Sequence, residues 1–256
     1  MATAHGTHGQ VPINRCFMSS SRRLLWPDLA RTIALLAMAS FHFGIDLQML
    51  SIVQVLPAWW PDYARAIAGS FLFLVGISLW LANAGRIRWP ANLKRLAMIV
   101  AGAAAVTGVT YLAMPGYYVY FGILHSIAIA SVLGLAFLRL PAIATMALGL
   151  LALMMPFLFA TPLMNAPWLW WVGLSTQWGS AMDFVPVFPW FGMVLLGLGC
   201  AKLADRFGLL RQDLPKTGWL HAVSWPGRHS LAVYLIHQPV IYGLLWLWAR
   251  QKGYIG

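Results

Sequence analysis

The 256-residue chain is 61% hydrophobic and only 9% charged, far below the roughly 25% charged residues of a soluble domain. Its 17 Lys and Arg face 6 acids, all of them Asp. The basic residues fall between apolar runs rather than on one amphipathic surface, which excludes a nucleic-acid binder and points to a multi-spanning membrane protein with basic loops.

In chain order, residues 1–21, "MATAHGTHGQVPINRCFMSSS", are polar and lack the apolar core of a signal peptide. They read as a flexible cytoplasmic tail, with His5 and His8 part of it. A membrane span needs roughly 20 mostly apolar residues, and candidates lie at about 30–50, 66–84, 96–114, 119–138, 142–160, 187–204 and 230–249. Only "PGYY" separates the third from the fourth, and "RLP" the fourth from the fifth. Between the fifth and sixth, "TPLMNAPWLWWVGLSTQWGSAMDFVPV" carries no Lys or Arg. Its Trp168, Trp170, Trp171 and Trp178 suit an interfacial belt; aromatic faces over a sugar are the functional alternative. The inner segment 205–229 is short and basic.

With the N-terminus inside, only Arg65, Arg250 and Lys252 fall outside and every other basic residue falls inside. The predicted fold is therefore all-α: a polytopic membrane helical bundle of about seven transmembrane helices, N-in and C-out, in the inner (plasma) membrane. Residues 22–256 form one domain, without a linker or repeat. Cys16 and Cys200 match no ligand or disulfide pattern and read as free thiols.

The first span, "RTIALLAMASFHFGIDL", carries Arg31, His42 and Asp46. On a helix, eleven steps bring His42 to within about 20° of Arg31 and about 16 Å along the axis. With Arg31 at the cytoplasmic surface, His42 is expected near mid-bilayer, with Asp46 one turn further on the same face. A carboxylate beside an imidazole fixes its tautomer and stabilises its charged form, which suits a general base. A structural His–Asp hydrogen bond is the plain alternative, but ionisable groups at that depth usually mark a site. His42 and Asp46 are thus the catalytic candidates. Other polar groups are candidates for substrate binding: Arg31 at the inner edge, His125 in the fourth span, Asp183 at the mouth of the sixth, and Arg228, His229, Tyr234, His237 and Gln238 in the seventh. No H-x-x-x-H or H-E-x-x-H pair exists, so no metal is expected.

Five stretches then carry a family resemblance: "RTIALLAMASFHFGIDL", "SFLFLVGISLWL", "FGILHSIAIASVL", "DFVPVFPWFGMVLLGLG" and "GRHSLAVYLIHQPV". From about residue 22 to 249 the chain resembles the bacterial family similar to the heparan-alpha-glucosaminide N-acetyltransferase catalytic domain. The Arg-x10-His spacing also resembles acyltransferase family 3. The resemblance implies transfer of an acyl group, usually acetyl, from cytoplasmic acyl-CoA to a hydroxyl or amine at or across the membrane. By position His42 matches the catalytic histidine and Arg31 the basic residue of the paired motif. The lysosomal enzyme has more spans, so acceptor specificity does not carry over. The expected partners are the lipid bilayer, an acyl-CoA donor and a glycan or small-molecule acceptor, with a homodimer left open. Two mechanisms stay open: His42 as general base, or His42 as acyl carrier. A proton-coupled transporter or permease using His42 and Asp46 as a relay is the alternative function.

Overall fold

The computed structural model describes residues 24–211 and 217–254. The tail, with His5, His8 and Cys16, and Lys216 of the inner segment lie outside the described residues. The helices are α1 (Trp26–Met49), α2 (Trp60–Asn83), α3 (Trp89–Ala113), α4 (Ile123–Ala136), α5 (Ala142–Phe159), α6 (Val187–Arg206), α7 (Gly218–Val223), α8 (Trp225–Arg228) and α9 (Ser230–Gln251). Each expected span has its helix. Six are long and apolar enough to cross a membrane, and α4 is a shorter apolar helix. The chain is an all-α polytopic bundle. Its inner and outer sides are assigned from the loop charges.

The bundle is held where small residues let backbones approach. A Cβ on Gly76 of α2 would strike Val194 O of α6, and one on Gly197 of α6 would strike Phe73 O of α2. Gly149 of α5 and Gly192 of α6 meet in the same way. Lipid tails are as apolar as Leu, so such close packing, rather than water exclusion, drives helix association in a bilayer. Around these contacts Leu72, Leu79, Val194, Leu195 and Leu198 are almost wholly buried. The contact order along the helices makes α2 and α6 parallel and α5 antiparallel to α6.

Helix α4 is short because its N-terminus is recessed. A Cβ on Gly102, in the middle of α3, would touch Leu124 of α4 and Leu231 and Leu235 of α9. Gly102 lies about 16 Å along the axis from the outer end of α3. After Ala113 the chain therefore turns back inward before α4 begins. Hydroxyls of α3 satisfy its backbone: Thr107 Oγ1 donates to Val119 O at 2.7 Å, and Val119 N donates to Thr110 Oγ1 at 3.1 Å. Non-helical backbone at membrane depth needs such internal partners. The start of α4 is completed from elsewhere in the chain, with Ile123 N donating to Asp183 Oδ2 at 2.9 Å.

The inner end of α4 is fixed by Lys202 of α6. Its ammonium is buried and donates to Phe137 O (2.6 Å), Leu140 O (2.8 Å) and Thr145 Oγ1 (2.9 Å). A buried ammonium is tolerable because all three of its protons have acceptors. Helices α7 and α8 pack on the first turns of α1, where Gly227 N donates to Thr32 Oγ1 at 3.0 Å and Thr32 Oγ1 lies 3.1 Å from Val223 O.

Candidate functional site

Helix α1 begins at Trp26, earlier than its apolar run suggests, because Pro27 at its start and Asp28 in its first turn suit a helix N-terminus. His42 therefore lies in the outer half of α1, about 24 Å from Trp26 and about 10 Å from Met49 along the axis. Gly44 gives the neighbouring turn close contact with α2, since a Cβ there would collide with the Trp60 indole. Trp60 stacks on Phe41 at 5.7 Å, and Tyr63 Oη contacts Ser40 Oγ at 2.7 Å. These contacts fix the α1 face that bears His42.

Across from it, α9 presents His237. The two imidazole centroids are 5.1 Å apart. His237 Nδ1 lies 2.6 Å from Tyr234 O. A carbonyl only accepts, so Nδ1 carries the proton and, in the neutral ring, Nε2 keeps its lone pair. That Nε2 is buried and has no protein partner.

Asp46 is not held by His42. Its Oδ1 accepts from Gln238 Nε2 of α9 at 2.8 Å, and the residue is wholly buried. No hydrogen bond joins Asp46 to His42 among the described residues. The expected His–Asp pair is therefore replaced by two cross-helix pairs, His42 with His237 and Asp46 with Gln238. Asp46 Oδ2 and Gln238 Oε1 are buried without partners.

A chamber of about 400 Å³ opens beside the two imidazoles. Helices α1, α2, α3 and α9 wall it, and the start of α4 with residues 182–185 completes it. His42, Asp183, Tyr234, His237 and Gln238 all line it. Among the described residues its wall holds no Lys or Arg. On the inner side of His42, Leu35, Met38 and Ile67 form a buried apolar cluster. Met38 and Ile67 also line the chamber, so it extends about a turn inward of His42, and among the described residues its lining includes none of the basic inner edge.

Asp183 is half-buried in the chamber wall. Burial pushes its carboxyl up to about 6, while the Ile123 N–H opposes that rise. It caps α4 as well as facing the chamber.

The remaining sequence candidates lie outside the lining. Arg31 pairs with Asp28 (Nη1–Oδ1, 2.7 Å) and donates to Ser78 Oγ at 2.6 Å, tying α1 to α2 at the inner side. His125 is used up in local structure. Its Nδ1 accepts from Gly122 N at 3.2 Å, and its Nε2 faces Thr107 Oγ1 at 3.4 Å. Arg228 donates to Ser224 Oγ and His221 O and contacts His221 Nε2, all within the α7–α8 turn. His229 is exposed and packs on Trp225 at 4.7 Å. These three hold the backbone locally and do not join the chamber. Arg65 pairs with Asp62 at 2.6 Å on the surface.

Two residues that sequence reasoning missed matter here. Thr110 lines the chamber and holds the inward-turning segment, and Phe41 supports His42 edge-on at 5.4 Å. A threonine in an apolar helix just before a turn is the signal that could have found the first.

The sequence profile of the family described as "Heparan-alpha-glucosaminide N-acetyltransferase, catalytic" matches residues 23–239. No curated protein and no solved structure matches the chain.

Proposed function

The chain belongs to the heparan-alpha-glucosaminide N-acetyltransferase catalytic family, a multi-pass membrane protein of acetyltransferase type, and from that premise we propose that it moves an acyl group, acetyl in the simplest case, from cytoplasmic acyl-CoA to a hydroxyl or amine at the outer side of the membrane. The observation that carries this reading is the facing pair His42 and His237 in the wall of one chamber.

The chemistry rests on the ring orientations. With Nδ1–H committed to Tyr234 O, neutral His237 keeps its Nε2 lone pair free of any protein partner, on a ring 5.1 Å from that of His42. An imidazole held this way can take the proton of an attacking hydroxyl or amine. The acceptor's oxygen or nitrogen bonds to the thioester carbonyl, the carbon–sulfur bond breaks, and the proton passes through the imidazole to the departing thiolate. An acyl-histidine on His42, with His237 as its base, fits the same pair of residues.

CoA phosphates need cations, and Arg86, Arg88, Lys94 and Arg95 stand at the inner turn between α2 and α3 and at the start of α3. Donor binding would have to part the apolar cluster of Leu35, Met38 and Ile67 so that the thin pantetheine arm reaches His42. The expected localisation is the plasma membrane, N-in.

The test is membranes given radiolabelled acetyl-CoA, wild type against His42→Ala, with protein levels matched. Thiol release and label transfer in the wild type, both lost in the variant, support the reading. Normal transfer by His42→Ala sinks the assigned role. Substrate flux with no acetyl-CoA consumed would make the protein a transporter instead.

A further inference from the structure

The chamber's chemistry identifies the class of acceptor, and this step rests on the acyl-transfer reading. Polar side chains in the lining gather around His42: His237, Gln238 and Tyr234 on α9, with Asp183 and Thr110 beyond them. The rest of the wall is apolar, including Phe41, Ile67, Phe71, Val106, Val109 and Met182. A free sugar carries hydroxyls on every side, and most of them would face carbon here with no hydrogen-bond partner, a loss that a polar ligand avoids by staying in water. A molecule with one polar end and a hydrocarbon body meets this wall without that loss.

The mouth agrees with the wall. Val109 of α3 is 65% exposed and Met182 of the outer loop is 41% exposed, yet both line the chamber. They therefore stand where it opens, and they are apolar. Among the described residues no basic side chain lines the entrance. An opening framed by carbon at the outer half of a membrane helix faces lipid chains more readily than it faces water.

The polar end has its own signature. Beside the lining, His237 Nε2 in the neutral ring and Gln238 Oε1 are acceptors buried without a protein partner. An O–H or N–H is the group that satisfies either of them.

We infer that the acceptor is an alcohol or primary amine borne on a hydrocarbon body, which enters from the outer half of the bilayer and places its O–H or N–H at the chamber side of the His42–His237 pair. The donor thioester supplies the acyl carbon from the opposite side of His42. The bond formed is an ester or amide, the bond broken is the thioester carbon–sulfur bond, and the acceptor's proton ends on the thiol.

Two readouts test this on the purified full chain in nanodiscs. The first is photolabelling with a diazirine-bearing dodecanol, read as adducts on peptides, and it needs no turnover. Adducts on the chamber-lining residues of α2 and α3 should be competed by excess dodecanol. They should fall at least tenfold in Ala105→Trp and in Ala68→Phe, two variants that fill the chamber from different walls. The second readout is label from acetyl-CoA offered dodecanol, dodecylamine or free glucosamine. Transfer to the alkyl acceptors should exceed transfer to glucosamine at least tenfold and should rise with chain length from six to twelve carbons. Preferred transfer to glucosamine, or adducts that neither dodecanol nor the filling variants remove, overturns the inference. Competable chamber adducts without any thiol release or transfer keep the hydrocarbon ligand and sink the acyl-transfer reading instead.

Discussion

His42 of α1 and His237 of α9 face each other with ring centroids 5.1 Å apart, while Asp46, on the same face of α1 as His42, is held by Gln238. Adjacent residues of α9 thus take one polar group each from α1. The arrangement separates the pair suited to proton transfer from the pair suited to joining helices.

If the two imidazoles act as a unit, their removal is not additive. His42→Ala and His237→Ala should each lower acetyl transfer by about 10²–10⁴-fold, the usual range for a lost general base. The double variant should be no more than a few-fold worse than either single one. Initial rates of thiol release at matched protein level give the answer. Independent, multiplying losses would show that the rings do not work together.

The Asp46–Gln238 pair is predicted to be structural. Gln238→Leu leaves a wholly buried carboxyl without its donor and should destabilise the protein by about 1–3 kcal/mol. Asp46→Asn should be at least as stable as wild type, because an amide can donate to the orphaned Gln238 Oε1 while still accepting from Nε2. Thermal unfolding in detergent ranks the variants. A large loss on Asp46→Asn would show that the carboxyl itself is needed for folding.

Lys202 should matter more for folding than its place near a helix end suggests. Lys202→Met removes the common donor of Phe137 O, Leu140 O and Thr145 Oγ1. A loss of about 2 kcal/mol or more is expected, since buried acceptors left without a donor cost about 1–3 kcal/mol each. Protease cleavage at the α4–α5 turn should rise in the variant, and an unchanged pattern would contradict this role.

Asp183 gives a pH signature. Its folded carboxyl titrates near 6 because of burial, above the roughly 3.9 of an unfolded aspartate. Between those values the folded chain holds the extra proton, so this group's contribution to stability is present at low pH and is lost as pH rises through 6. The unfolding temperature of wild type relative to Asp183→Asn should therefore fall between pH 4 and 7. A difference that is flat or rises across that window would refute the assignment. Asp183→Ala should also destabilise at every pH, because Ile123 N loses its acceptor.

The membrane helices were legible in the sequence because hydropathy reports burial in lipid directly. All expected spans recur as helices, shifted by a few residues. The short, recessed α4 was not legible. Residues 119–122 are as apolar as the helix they lead into, and contacts with distant residues, Thr107, Thr110, Asp183 and Val185, turn them out of it. His42 stood out by its cost in an apolar run, and His237 did so for the same reason. Their meeting did not, because periodicity relates residues along one helix and says nothing about which helices face each other. The same blindness paired Asp46 with His42, one turn away, when Gln238 of another helix takes its carboxylate. His125 looked as exposed to function as His42, but the inward turn before α4 uses both its nitrogens.

Helix α4 also sets a timetable for biogenesis. Its first amide is satisfied by Asp183, 60 positions later in the chain, and the carbonyls just beyond its last turn by Lys202, 62 and 65 positions later. At a synthesis rate of about 5–20 residues per second, the ribosome needs roughly 3–12 s to deliver these partners. During that interval α4 has neither end finished and is too short to cross comfortably alone. Its final placement must wait for α6, so the chamber roofed by its first turn comes into being only late in translation. Slowing the ribosome between residues 140 and 200 should leave α4 accessible to the insertion machinery for longer.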